Sequence, residues 1–372
     1  MSESLDFIFE RANSALITQD FEYAERLLTN ALKKHQDMSP LDKEKIEGIL
    51  ARIYADEGDL DRSLAAYLRL YEREPNNTDL MINLGRIYRH LDRYEDSLKI
   101  LEKAHASTGE NDEILYNLAK TYKRMRNYDK AAEYFSRAIE IKPDHAHAYD
   151  RLGNLYALTG KIEQAIETYK DGLRIDTNHP YLNFHLAGLL RQEKRYEEAI
   201  VYYNSALRVN PSWGEVLSGI AAAYLQLDKL DDALNTYRSL LRVTGESATI
   251  YTELGFLFEK KQLPQEAEQY YYDALTIDPG YAPAALALTR LLEKKQQYDE
   301  ALPKLLNAEA APVNADNHLL RLKAIQMCMY AKDYAKAHEL FGRLDEEHHN
   351  DLNTLKLRGQ LYALTGETEQ AE

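Results

Sequence analysis

The chain repeats one apolar pattern many times. "NYDKAAEYFSRAIEIKP" (127–143) and "RYEEAIVYYNSALRVNP" (195–211) share a tyrosine, an acid, an alanine, two aromatics, a second alanine and a closing proline. They lie 68 residues apart, which is twice the true period of 34. A small residue stands at Ala131, Ala165, Ala199, Ala233, Ala267 and Ala301, each 34 after the last. The register reaches back through Ser97, Ser63 and, past an insertion, Ala24, and forward past a shorter one to Ala337 and Ala371. A second small position precedes each by twelve residues, at Ala12, Ala51, Gly85, Ala119, Gly153, Ala187, Ala221 and Gly255, loosening to Thr289 and Ile325 before Gly359. Leucines such as Leu84, Leu118 and Leu152 come just before it, and tyrosines such as Tyr88, Tyr122 and Tyr156 three after. A third small set runs through Ala104, Ala138, Ala206, Ala274 and Ala308. Pro75, Pro143, Pro211 and Pro279 close alternate units, with Gly109, Thr177 and Gly245 between them. Proline stops a helix by lacking an N–H, and glycine by accepting a left-handed conformation.

A period of 34 with these small positions resembles the tetratricopeptide repeat family, whose unit is a helix–turn–helix. The resemblance covers nearly the whole chain in eleven registers. It implies an all-α, right-handed superhelical solenoid of about eleven repeats forming one domain over residues 1–372. The repeats fall at 5–38, 44–77, 78–111, 112–145, 146–179, 180–213, 214–247, 248–281, 282–315, 318–351 and, in part, 352–372. The physical reason for the small positions is steric. Two helices approach closely only where one carries Ala or Gly at the crossing, and large neighbours then interdigitate. Each unit leaves an apolar face that the next unit covers. The extra residues in "DMSPLDKE" and "APVNADN" carry Pro40 and Pro312 and read as longer turns. Most of the 28 tyrosines fall on recurring positions and read as packing residues.

Composition narrows the function. A net charge of −15 argues against general nucleic-acid binding, although a sum does not exclude a local basic patch. The single cysteine, Cys328, rules out an intramolecular disulfide and reads as a buried thiol. The N-terminus lacks the basic start and apolar run of a signal peptide, and no stretch of about 18 apolar residues exists to enter a membrane. The cytoplasm is therefore the default expectation.

No phosphate-cradling glycine loop, nucleophile elbow or HExxH is present, so no enzyme and no cofactor are expected. His145 and His147 near Asp144, and His348 and His349 beside Glu346 and Glu347, read as solvated turns rather than metal sites. The family resemblance implies another kind of site. First helices line the concave face, and recognition uses positions two, five, six, nine, twelve and thirteen of the repeat, which form one helical stripe. The ninth position holds Arg52, Arg86 and Lys120, the twelfth Arg89 and Lys123, and the thirteenth His90 and Arg124. The sixth holds Asn83, Asn117, Arg151 and His185, and Asn154 takes the ninth place of the fifth repeat. Phe184, Gly188, Ser218, Gly219, Ala222 and Phe256 make the following stretch small and apolar. A chaperone-type carboxylate clamp needs Lys at the fifth position, where Ile82, Tyr116 and Asp150 stand instead. Asn83 and Asn117 match two rungs of the asparagine ladder found in glycosyltransferase-associated members.

The expectation is a protein-interaction scaffold that binds a peptide segment with acidic side chains. Its alternatives are the substrate-recruiting arm of a larger enzyme such as a glycosyltransferase, and a self-assembling solenoid whose terminal repeats make a homo-oligomer. The stripe Leu357, Leu361 and Leu364 near the end predicts a following helix or a partner chain over that face.

Overall fold

The computed structural model describes residues 4–34, 38–344 and 351–366, which hold 21 α-helices, one short 3-10 helix and no strand. The residues His348, His349, Glu346, Glu347 and Ala371 lie outside the described residues. The chain divides into two compact units, Met1–Leu189 and Leu190–Glu372.

The first unit contains α1 (Leu5–Ile17), α2 (Phe21–Lys34), α3 (Pro40–Asp56), α4 (Leu60–Arg73), α5 (Thr78–His90) and α6 (Tyr94–Thr108). It continues with α7 (Asp112–Arg124), α8 (Tyr128–Ile141), α9 (Ala146–Leu158) and α10 (Ile162–Ile175), and ends inside α11 (Pro180–Gln192). The second unit holds α12 (Tyr196–Val209), α13 (Gly214–Gln226), α14 (Leu230–Thr244), α15 (Ala248–Lys260) and α16 (Pro264–Ile277). It continues through α17 (Ala282–Lys294), α18 (Tyr298–Ala310), α19 (His318–Tyr330), α20 (Tyr334–Phe341) and α21 (Leu352–Thr365).

Within each unit, consecutive helices pack as pairs, and each pair packs on the next. The small positions explain the closeness. A Cβ added to Gly85 on α5 would lie 2.6 Å from Leu101 of α6, and one on Gly153 of α9 would enter the Tyr169 ring of α10. Ala131, Ala165, Ala199, Ala233, Ala267 and Ala301 are all fully buried. Where serine replaces alanine the hydroxyl is used: Ser63 Oγ donates to the Ala51 carbonyl and Ser97 Oγ to the Gly85 carbonyl, both at 2.7 Å.

The turn inside each pair places one residue at left-handed φ near +60°. Gln19, Asp92, Arg126, Lys194, Asp228, Gln262, Gln296 and Lys332 occupy this slot, with Gly58 and Gly160 completing it. Entry into several helices is fixed by a side-chain cap, as where Asn77 and Asn127 accept from the backbone N–H three residues on. At "DMSPLDKE" the structure departs from a longer turn: Ser39 Oγ accepts from the Asp42 N–H at 3.1 Å, and Pro40 is the first residue of α3. Proline is tolerated there because that N–H has no helical partner in any case, so α3 gains an extra turn. In the second unit, "APVNADN" contains the short helix Pro312–Asn314, and Asn314 Nδ2 donates to the carbonyls of Gly280 and Ala308 at 2.8 Å. Beside it Arg321 and Glu309, both buried, pair at 2.8 Å. Near the C-terminus Leu361 is fully buried and Leu357 partly so, whereas Leu352 and Leu364 are exposed.

Candidate functional site

The strongest chemical feature lies in the first unit, where α5 packs against α7. A cavity of about 660 Å³ opens among α5, α7, α9 and the α7–α8 turn. Arg89 and His90 reach it from α5, Lys120, Lys123 and Arg124 from α7, Arg126 from the turn and Arg151 from α9. Tyr94, Tyr128, Phe135 and Leu158 complete the lining, and no carboxylate is among these residues.

Burial and mutual repulsion leave their marks on these groups. Arg89 is only 4% exposed. Its Nη1 donates to Asn117 Oδ1 at 3.2 Å, while its buried Nη2 meets no acceptor among the described residues. Leaving a buried donor unsatisfied costs about 1–3 kcal/mol. Burial, then Arg86 and Arg124, lowers the Arg89 pKa to about 10. Burial, followed by Arg89, Arg151 and Arg86, lowers Lys120 to about 8. Lys120 Nζ also sits 5.2 Å from the centre of the Tyr116 ring. Lys123 and His90 are lowered as well, both chiefly by burial and then by neighbouring cations. Both effects favour the neutral form of His90.

Two of the cations have counter-charges. Arg124 pairs with Asp92 at 2.9 Å and Arg151 approaches Asp150 at 3.8 Å. Arg89, Lys120 and Arg126 make no ion pair among the described residues, and Lys123 has only the more distant attraction of Asp150.

The remaining stripe residues have distinct surroundings. Arg52 is exposed on α3, and Arg86 is half-buried with Nη2 donating to Asn83 Oδ1 at 3.0 Å. Asn83 and Asn117 each donate one amide hydrogen to the carbonyl four residues back, at 2.9 Å. Asn117 is buried and faces Arg89, so its carbonyl holds the guanidinium in place. Asn154 and His185 both turn inward on buried Asp150: Asn154 Nδ2 donates to its carboxylate at 3.1 Å and His185 Nδ1 lies 2.5 Å from it. Phe184 packs against the His185 ring at 5.3 Å. In the second unit, Phe256 stands edge-on to Tyr271 at 5.6 Å and lines a separate cavity of about 440 Å³ with Pro283, Leu286 and Ala287.

Sequence reasoning did not single out Arg126, Tyr94 or Tyr128 for this site. Arg126 belongs to the α7–α8 turn, where its left-handed φ brings it to the cavity mouth, and Tyr94 and Tyr128 open the second helices α6 and α8, outside the first-helix stripe. The one available signal was the basic run "KRMR" ahead of Asn127.

His145 and His147 form an aromatic row with Tyr116 and His179, with ring centres 5.0–6.5 Å apart. Among the described residues no group of three His, Cys, Asp or Glu is placed to hold a metal, and no helix is long and apolar enough to cross a membrane. Cys328 is fully buried on α19.

Family models described as tetratricopeptide repeat match residues 76–144 and 110–178, 190–251, and 48–77 and 248–281. No curated protein matches the chain. Among solved structures, the C-terminal part of a repeat-containing protein from Cytophaga hutchinsonii is 16% identical. It covers 64% of this chain and 98% of that one, with a TM-score of 0.55. A tetratricopeptide repeat protein from Parabacteroides merdae is 19% identical over 67% of this chain and 98% of its own, with a TM-score of 0.44. YrrB, described as having an unusual peptide-binding site, is 20% identical over 50% of this chain and 96% of its own, with a TM-score of 0.46. At these identities the likeness concerns the fold alone.

Proposed function

Because the chain belongs to the tetratricopeptide repeat family, whose folds serve as protein-interaction scaffolds, we propose that it holds an acidic peptide segment along the first helices of its N-terminal unit. One observation supports this above the others: in a chain of net charge −15, six Lys and Arg side chains, with His90 beside them, line one cavity whose lining has no carboxylate. Cations concentrated against the overall charge are costly to assemble, and an anionic partner relieves the repulsion among them. Arg52 and Arg86 extend the basic stripe toward α3, so the segment lies across α3, α5 and α7.

The affinity expected is modest. Solvent-exposed ion pairs contribute about 0–1 kcal/mol each, so several are needed together. A total on the order of 8 kcal/mol corresponds to micromolar binding. Because the cavity is open to solvent, binding weakens as salt rises.

The test uses fluorescein-labelled decapeptides carrying no, three or six glutamates, with anisotropy read at low and high salt. Affinity should climb with glutamate count and fall with salt. The double variant Arg86→Glu with Lys120→Glu should lose binding, while Lys33→Glu with Lys99→Glu, on the second helices α2 and α6, should keep it. Equal binding by the two double variants, or affinity independent of glutamate content, sinks the proposal.

A further inference from the structure

The cavity has more positive charge and more directed donors than a carboxylate side chain needs. Arg89, Lys120 and Arg126 form no ion pair among the described residues, Lys123 feels only Asp150, and the four approach from α5, α7 and the α7–α8 turn. The buried Nη2 of Arg89 is an N–H donor with no acceptor, held against rotation by the bond from Nη1 to Asn117. Tyr94, whose hydroxyl donates to Asp92 at 2.6 Å, and Tyr128 stand in the same lining, and Phe135 and Leu158 supply an apolar wall. A carboxylate has one charge and two oxygens in a plane. A phosphomonoester has nearly two charges and three oxygens that point to different sides. Guanidinium forks suit that arrangement.

The basic run is also short. Beyond it, within the same unit, His185 and Asn154 are tied to Asp150. Asp79 and Glu113 stand on the first turns of α5 and α7. A polyanion tracking a groove would meet those carboxylates, whereas a single dianionic group would not. We infer that the cavity is a receptor for one phosphomonoester dianion, carried by a phosphoserine or phosphothreonine of the bound segment. This inference rests on the acidic-segment reading above. The phosphate enters the cavity between Arg89, Lys120 and Arg126, and the flanking acids lie on the stripe formed by Arg52 and Arg86.

The probes are N-acetyl-phosphoserine amide, N-acetyl-glutamate amide, inorganic phosphate and a thymidine decanucleotide, titrated calorimetrically into the full chain at constant ionic strength. The small compounds do not reach the flanking stripe, so they report on the cavity alone, and the graded decapeptides report on the stripe. The phosphoserine compound should bind at least tenfold tighter than the glutamate compound at pH 7. Its affinity should drop at least fivefold at pH 5, where the dianion has taken up one proton and become a monoanion. The protein groups facing the cavity work against that drop. Arg89, Lys120 and Lys123 stay charged on acidification and His90 becomes more positive, while any protonation of Asp92 beside Arg124 or Asp150 beside Arg151 and Lys123 would free those cations for an anion. A loss of affinity is therefore due to the ligand.

Lys120→Met and Lys123→Met should each weaken binding at least fivefold, and Lys99→Met on α6 should not. Arg89→Met, checked by circular dichroism for retained helix, should do the same as Lys120→Met. Equal affinity for phosphoserine and glutamate compounds overturns the inference, as does binding indifferent to Lys120→Met and Lys123→Met. Tighter binding of the decanucleotide through the same residues would make this a polyanion surface and overturn it too. Inorganic phosphate binding without the phosphoserine compound would identify a free-phosphate site and remove the peptide from the proposal.

Discussion

Lys120→Met should stabilise the protein at neutral pH. The methionine keeps most of the apolar stem beside Tyr116 and removes only the ammonium. Burial and the charges of Arg89, Arg151 and Arg86 lower the Lys120 pKa from 10.5 to about 8. At about 1.4 kcal/mol per pKa unit, that amounts to a little over 3 kcal/mol of disfavour toward the charged form. The amine is partly open to water, and screening reduces the figure to about 1–2 kcal/mol. The pH dependence has a definite sign. Between about 8 and 10.4 the unfolded chain binds more protons at this residue than the folded chain, so stability rises with pH through that window. Below it the native state bears the full cost. The difference in urea midpoint between Lys120→Met and wild type, followed by circular dichroism, should therefore be largest at pH 7 and shrink toward pH 10. Groups common to both proteins cancel in the difference. A variant less stable than wild type at pH 7, or a difference flat from pH 7 to 10, refutes the idea that burial and the neighbouring cations disfavour the charged amine.

Four other outcomes are expected. Arg321→Met should destabilise the second unit by about 3 kcal/mol, because it leaves the buried Glu309 carboxylate with only the longer contact to Arg343 at 3.5 Å; hydrogen exchange in α18 and α19 measures it, and unchanged protection there contradicts it. Ala131→Leu should cost about 1–3 kcal/mol by overpacking a fully buried crossing, seen first as lost exchange protection in α7 and α8. Ser97→Ala should cost about 1 kcal/mol through loss of the hydroxyl's bond to the Gly85 carbonyl and its contact with Thr121 at 3.0 Å, and an unshifted urea midpoint would show that hydroxyl to be idle. Cys328, whose burial pushes its thiol up to about 11, should ignore a disulfide reagent at pH 8 until urea is added, so rapid native labelling would place it elsewhere.

The helix pairs were legible in the sequence because the steric demand repeats in nearly every unit, loosening only to Thr289 and Ile325. Where two helices cross closely a small residue is favoured, and the 34-residue recurrence of small residues exposes most such crossings. The start of α3 was harder to see. Pro40 looks like a turn residue until Ser39 is found capping the helix that begins there. The stripe positions showed which side chains leave the first helices, but not what each meets. Asn117 and Asn83 occupy equivalent positions in neighbouring repeats. One is buried against Arg89 and the other is half-exposed beside Arg86, because burial depends on the neighbours of each rather than on register. The inward pairing of His185 and Asn154 with Asp150 was hidden for the same reason, since it joins residues from two repeats. Arg126 was missed because its placement depends on a backbone angle.

That angle bears on how such a protein changes under selection. A side chain at φ near +60° costs about 1–2 kcal/mol that glycine would avoid. The slot nonetheless holds Asp92 and Arg126 in adjacent repeats, one pairing with Arg124 and the other lining the cavity. Arg126→Gly would thus make the turn more comfortable and the cavity less positive in a single step. A lineage selected only for thermal endurance would drift toward glycine at this slot and lose its anion. One selected for recognition would retain the awkward residue. Stability and binding are opposed here within one peptide unit, with no need for the rest of the repeat to move.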